Sequence, residues 1–179
     1  MRYLPNALTI ARLALAPLVA LAILSGRHET ALRLFFIAAL TDTLDGTLAR
    51  RWDAASRVGA FLDPIADKAL LSGVYLAFAA TGSAPPWLAF VVFGRDIVLL
   101  LSSAGAYAFT RLRQFPPSVW GKLSTLLQIL SAVAWMSRNA WNSPFFNAAA
   151  NVLLWPTVFV TIWSGMHYLW RGWRTVHAH

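Results

Sequence analysis

The sequence predicts an all-α, polytopic membrane protein, with six transmembrane helices in a single domain over residues 1–179 and a cleft facing the cytoplasm. Three observations carry that expectation. Apolar residues make up 58% of the chain and charged residues only 12%, outside the range of a soluble domain. The apolar residues fall into stretches of about twenty, the length of a helix that crosses a hydrocarbon core. Between the stretches lie short polar or Gly/Pro-rich joints at 26–29, 52–56, 81–86, 111–117 and 139–144.

Taken in order, the expected helices are 6–25, 30–51, 57–81, 86–110, 117–138 and 145–171. Pro5, Asn6, Thr9 and Arg12 interrupt the first apolar run and no small-residue cleavage site follows Leu24, so it reads as a retained helix rather than a secretory signal. No serine-rich amphipathic transit segment is evident, which points to a bacterial or archaeal cell (inner) membrane. With both termini in the cytoplasm, Arg2, Arg50, Arg51, Arg57, Arg111, Arg113, Arg171 and Arg174 fall inside, and Arg27, Arg33 and Arg138 outside. Trp52, Trp87, Trp120, Trp141, Trp170 and Trp173 stand near helix ends, where an indole buries its ring and keeps its N–H among headgroups.

Composition also excludes several chemistries. Without cysteine there is no thiol catalysis, disulfide or iron–sulfur cluster. A formal charge of +8 does not indicate nucleic acid here, because no separate soluble basic domain carries it; it suits anionic lipid headgroups. His28, His167, His177 and His179 have no metal-ligand spacing. Gly121-Lys122 is not a phosphate-binding P-loop, since Pro116 replaces the first glycine and Leu123 the Ser or Thr.

The anomaly is the acids. Of seven in the chain, Asp42, Asp45, Asp63, Asp67 and Asp96 lie inside or at the ends of the expected helices. A carboxylate at bilayer depth costs at least about 2.5 kcal/mol, so such groups face a cavity and serve function. Asp42 and Asp45 share one face of the second helix, and Asp63 and Asp67 one face of the third. A short joint would make these helices antiparallel neighbours, so the four carboxylates converge. Unpaired they would repel, and divalent cations resolve the conflict. Oxygen donors without Cys or His suit two hard ions, Mg²⁺ or Mn²⁺, of the kind that clamp a pyrophosphate. A cation transporter would instead spread its acids along several helices or show an inverted repeat. Gly46, Ala49 and Gly59 leave the faces near the acids without bulk, which serves a ligand or tight helix packing alike.

Read together, Asp42-x2-Asp45-Gly46-x2-Ala49-Arg50-x8-Gly59-x3-Asp63-x3-Asp67 resembles, position for position, the signature of the CDP-alcohol phosphatidyltransferase family. The Pro5-Asn6-x2-Thr9-x2-Arg12 opening and the six-helix pattern extend the resemblance over most of the chain. The resemblance implies a membrane enzyme that moves a phosphatidyl group from CDP-diacylglycerol to an alcohol and releases CMP, with its active-site cleft at the cytoplasmic face. It implies that Asp42, Asp45, Asp63 and Asp67 ligate the two metal ions and that Asp67 is the general base. It places Asn6, Thr9, Asp42, Gly46, Ala49, Arg50 and Gly59 at the donor's CDP moiety, although Arg50 also fits a positive-inside arginine like Arg51. Homodimers among membrane lipids are implied as well.

For the acceptor, Gly94-Arg95-Asp96 followed by Gly121-Lys122-x2-Thr125-x2-Gln128 resembles the pattern shared by phosphatidylglycerophosphate synthases, which use glycerol 3-phosphate, and cardiolipin synthases, which use phosphatidylglycerol. The former usually show Arg-Glu and a following Leu-Arg; here Arg95-Asp96 precedes the uncharged stretch from Ile97 to Thr110. That departure favours the cardiolipin synthase branch. Arg95 and Lys122, set within helices, are the expected acceptor-binding residues.

Overall fold

The computed structural model describes the backbone of residues 4–52, 57–109 and 118–177, and the side chains of 11–41, 68–102 and 118–170. Among the described residues the chain forms six α-helices and no strand: α1 Leu4–Leu24, α2 His28–Trp52, α3 Arg57–Thr81, α4 Pro86–Phe109, α5 Val119–Trp141 and α6 Pro144–His177. The breaks at 26–29, 81–86 and 139–144 fall where expected, for identifiable reasons, while residues 53–56 and 110–117 of the other two joints lie outside the described residues. Gly26 takes a positive φ of 70°, and the bonds Arg27 N–H to Ala22 O (2.8 Å) and Gly26 N–H to Ile23 O (2.9 Å) close α1 in a Schellman turn. Gly82, with φ 65°, ends α3 in a similar way, its neighbour Ser83 donating to Phe78 O at 3.1 Å. Asn142 terminates α5 in the left-handed region, which asparagine tolerates better than most side chains. The sixth helix runs further than expected, to His177, and carries Pro156 in its interior.

The helices pack as two groups of three. α1 packs most extensively on α3 and α2, and α6 on α5 and α4, with α3 against α4 and α2 against α5 joining the groups. The expected contact between α2 and α3 falls beside the joint at 53–56, which lies outside the described residues. Among the described residues each packs on α1, whose Ala16, Val19, Ala22 and Ile23 are buried. Gly73 of α3 faces Ala16 and Ala20 of α1, where an added Cβ would sit 3.9 Å from each, so small residues let these two backbones approach.

Polar residues join the second group. Ser124 and Thr161 share a hydrogen bond of 3.1 Å, and Gln128 Nε2 donates to both at 3.2 Å, all three fully or nearly fully buried. Thr157 Oγ1 of α6 donates to Leu127 O of α5 at 3.2 Å, and Tyr75 of α3 donates to Gln128 O at 2.9 Å. In a hydrocarbon solvent apolar burial drives no association, so such bonds and close packing hold helices together.

The outer surface is the reverse of a soluble protein's. Leu18, Leu21, Phe36, Leu40, Phe90, Leu101, Val152, Trp155 and Phe159 are all exposed, an apolar surface far beyond the patches a water-soluble monomer presents. Among the described residues Val119–Trp141 and Pro144–Trp170 are long and apolar enough to cross a membrane, and Ala11–Leu24 and Lys68–Thr81 are shorter apolar segments. Trp87, Trp120, Trp141 and Trp170 are exposed, as interfacial anchors require. Trp155 and Trp163 lie well inside α6 and meet Trp87 and Trp120 at ring-centroid distances of 6.1 Å.

One junction ties α6 to the start of α5. Ser118 caps α5 by accepting from Gly121 N–H at 3.0 Å, while its own N–H donates to Tyr168 Oη at 2.8 Å. A Cβ on Gly121 would stand 2.9 Å from that same Tyr168 oxygen. Tyr168→Phe therefore removes a buried acceptor and is expected to cost about 1 kcal/mol or more, and Gly121→Ala to cost a comparable amount by displacing the phenol. Thermal unfolding in detergent measures both. Because the two act on one hydroxyl, the double substitution should cost less than the sum, and strict additivity would contradict the junction as described.

Candidate functional site

Where the two helix groups meet, five helices enclose a cavity of about 360 Å³. Arg12, on α1, lines it and is buried, and the apolar wall is built by Phe35, Ala38 and Ala39 of α2 with Leu70, Leu71 and Ile129. The polar wall comprises Lys68 of α3, Arg95 and Asp96 of α4, and Thr125 and Gln128 of α5. The space is thus amphipathic, with cations and one carboxylate opposite an apolar wall. Helical periodicity explains the wall on α2, because Phe35, Ala38 and Ala39 recur at three- and four-residue steps along one face.

Arg95 is the best-defined charge in this cavity. Its Nη1 donates to Asp96 Oδ1 at 2.8 Å and its Nη2 to the Gly121 carbonyl at 3.2 Å, while the side chains of the pair are only 9% and 14% exposed. The Gly121 carbonyl also accepts from Thr125 Oγ1 at 3.1 Å. Gly165 of α6 lets the stem of Arg95 pass, an added Cβ there being 3.9 Å from Arg95 Cγ. The two downstream sequence segments, residues 94–96 and 121–128, therefore meet in space through Arg95 and Gly121, as their shared role in the sequence requires.

Asp42 and Asp45 are on α2, Asp42 one turn beyond Ala38, and Asp63 and Asp67 are on α3, Asp67 one turn before Leu71. Their side chains, with those of Gly46, Ala49, Arg50 and Gly59 and of Asn6 and Thr9 on α1, lie outside the described residues. Of the two expected acceptor residues, Arg95 lines the cavity, whereas Lys122 is exposed near the start of α5 and is not among the described lining. Lys68 and Arg12 line the cavity without having been singled out for it. The signal for both was present: an arginine and a lysine within apolar helices, one of them directly following Asp67.

Comparison with known proteins bears on this geometry. Residues 2–163 match the family model described as CDP-alcohol phosphatidyltransferase. The chain is 31% identical over 174 residues to the CDP-diacylglycerol-glycerol-3-phosphate 3-phosphatidyltransferase of Aquifex aeolicus (strain VF5), covering 96% of this chain and 97% of the relative. It is 34% identical to the Haemophilus influenzae (strain ATCC 51907 / DSM 11121 / KW20 / Rd) protein of the same name, covering 93% and 91% of the two chains. It is 31% identical to the cardiolipin synthase (CMP-forming) of Rattus norvegicus, covering 98% of this chain and 63% of the relative.

The placement of the two lysines separates their expected roles. Lys68→Ala should lower turnover of the purified protein by about tenfold, the loss of one charge-assisted contact in the cavity, while Lys122→Ala should stay within about twofold of wild type. Initial velocities at subsaturating acceptor measure both; a larger loss at Lys122 than at Lys68 would displace the cavity from the site.

Proposed function

This chain belongs to the CDP-alcohol phosphatidyltransferase family, and we propose that it is a cardiolipin synthase, transferring the phosphatidyl group of CDP-diacylglycerol to a hydroxyl of phosphatidylglycerol with release of CMP. The amphipathic lining of the cavity carries the reading. Phe35, Leu70, Leu71 and Ile129 face a space that also holds Lys68 and Arg95, which suits a lipid headgroup with its glycerol and upper acyl chains better than a wholly polar phosphate ester. Beyond Asp96, Ile97, Leu100 and Leu101 are exposed on α4, an apolar approach for an acceptor already in the bilayer. A second reading is a phosphatidylglycerophosphate synthase using glycerol 3-phosphate. It is favoured by the near end-to-end match to the Aquifex and Haemophilus relatives, against 63% of the rat cardiolipin synthase.

In this proposal all six helices span the cell membrane, both termini are cytoplasmic, and the cleft between α2 and α3 opens to that face, where the positive-inside arginines gather. A homodimer is part of the same reading. Asp42, Asp45, Asp63 and Asp67 would hold two divalent cations, Mg²⁺ or Mn²⁺, since an all-oxygen donor set fits hard ions. Among the described residues no cluster of three or more His, Asp or Glu side chains competes for them. When bound, such ions neutralise a pyrophosphate and stabilise the departing CMP.

The chain's own residues supply the remaining work. Asn6, Thr9, Gly46, Ala49, Arg50 and Gly59 receive the cytidine and donor phosphates. Asp67 takes the proton from the acceptor hydroxyl, whose oxygen bonds to the lipid-linked phosphorus as the bond from that phosphorus to the CMP oxygen breaks. Arg95 and Lys68 orient the acceptor through its phosphate, and the apolar wall limits water, so hydrolysis of the donor is disfavoured.

The decisive panel is CMP release from CDP-diacylglycerol and Mg²⁺ by the purified chain, with phosphatidylglycerol, glycerol 3-phosphate, inositol phosphate or serine offered separately. Phosphatidylglycerol alone should support rapid release and yield cardiolipin; preference for glycerol 3-phosphate would establish the second reading instead. Asp67→Asn should lower turnover by about 10² or more with the thermal unfolding midpoint unchanged, and substantial residual turnover would refute its role as base.

A further inference from the structure

Helix α6 supplies none of the described residues that line the cavity, yet two of its residues bear on Arg95. Gly165 faces the stem of that arginine, where an added Cβ would stand 3.9 Å from Cγ. Tyr168, three residues further and on the same side of the helix, accepts the Ser118 N–H at 2.8 Å. Ser118 Oγ accepts in turn from Gly121 N–H at 3.0 Å, and the Gly121 carbonyl accepts from Arg95 Nη2 at 3.2 Å. Tyr168, Ser118 and Gly121 are all buried, so water does not replace a bond lost from this chain of contacts. The Ser124–Thr161 bond of 3.1 Å and the Ser118–Tyr168 bond pin α6 to α5 on either side of Gly121. Arg95 is thereby held at its stem by one helix and at its tip by another. A long arginine side chain has much rotamer freedom, and fixing its placement beforehand reduces what an arriving ligand must order.

We infer that Gly165 and Tyr168 are positioning residues for acceptor binding: Gly165 leaves room for the stem of Arg95, and Tyr168, through Ser118 and Gly121, sets the carbonyl that holds its tip. This rests on the reading above of Arg95 as a ligand of the acceptor phosphate. Neither residue lines the cavity, so a change at either acts on the acceptor through Arg95. Gly165→Val carries carbon about 1.5 Å beyond the Cβ position, into the space of the Arg95 stem. Gly165→Ala, whose added carbon makes an ordinary contact at 3.9 Å, disturbs the stem far less. Tyr168→Phe keeps the ring and deletes the oxygen that receives Ser118 N–H.

The test measures kcat and the KM values for CDP-diacylglycerol and for whichever acceptor the wild type uses, in the purified full chain. Gly165→Val should raise the acceptor KM about tenfold and Tyr168→Phe about threefold, each with the KM for CDP-diacylglycerol within about twofold of wild type. Gly165→Ala should move the acceptor KM less than Gly165→Val does. The same substitutions are then placed in an Arg95→Ala chain, where the group they position is gone. There each should change the acceptor KM by less than about twofold, whereas a merely structural role would act in full in both backgrounds. Full effects in the Arg95→Ala chain, or equal rises in the two KM values, overturn the inference. Where Gly165→Val does not fold, Tyr168→Phe decides, and an unmoved acceptor KM in it overturns the inference too. Arg95→Ala alone should raise the acceptor KM; if it does not, the reading of Arg95 falls and this inference with it. A raised KM in Arg95→Ala with none in folded Gly165→Val or Tyr168→Phe overturns the inference alone.

Discussion

A medium that solvates no charge is the constraint from which the rest of this structure follows. Each ionisable or polar group placed among these helices has to be answered by another group of the chain or by a ligand. Arg95 is answered by Asp96 and the Gly121 carbonyl, and Gln128 by Ser124 and Thr161. Removing one member of such a set leaves the other buried and uncompensated, which costs far more than the bond itself contributes. Arg95 and Gln128, on α4 and α5, are therefore at once part of the glue of the bundle and of the inner wall of its cavity.

Among the described residues α2 and α3 each pack on α1 and both contribute to the lining of one cavity, with Phe35, Ala38 and Ala39 from α2 and Lys68, Leu70 and Leu71 from α3. Asp42 and Asp67 stand one helical turn from Ala38 and Leu71 in sequence. Small residues on α1 and Gly73 on α3 permit the close approach of those two helices. From the second group, α4 and α5 close the cavity with Arg95, Thr125 and Gln128. Anchoring of the start of α5 by Tyr168 and Arg95 sets the position of this wall, so a residue far along the chain contributes to the site's shape.

Much of this was legible in the sequence. Apolar stretches separated by glycine- and proline-rich joints located the helices, and Gly26 and Gly82 mark their ends because those turns need a positive φ. The family followed from eight specified residues over 26 positions, and the match to residues 2–163 supports it. Tertiary order was harder to read. Nothing local in the sequence records that α1 packs on both α2 and α3. Arg12 was named only as part of the opening motif and Lys68 not at all, because only the packing of five helices shows which cations share a cavity. Lys122 illustrates the converse, a lysine inside a helix whose side chain nevertheless stays exposed.

We propose above that Asp42, Asp45, Asp63 and Asp67 together hold divalent cations in surroundings of low dielectric. That proposal is tested most directly by the divalent-ion dependence of CMP release from CDP-diacylglycerol by the purified chain in the presence of acceptor. Chelation with EDTA should reduce release to background, and excess Mg²⁺ or Mn²⁺ should restore it without refolding. Undiminished release in EDTA would contradict the claim.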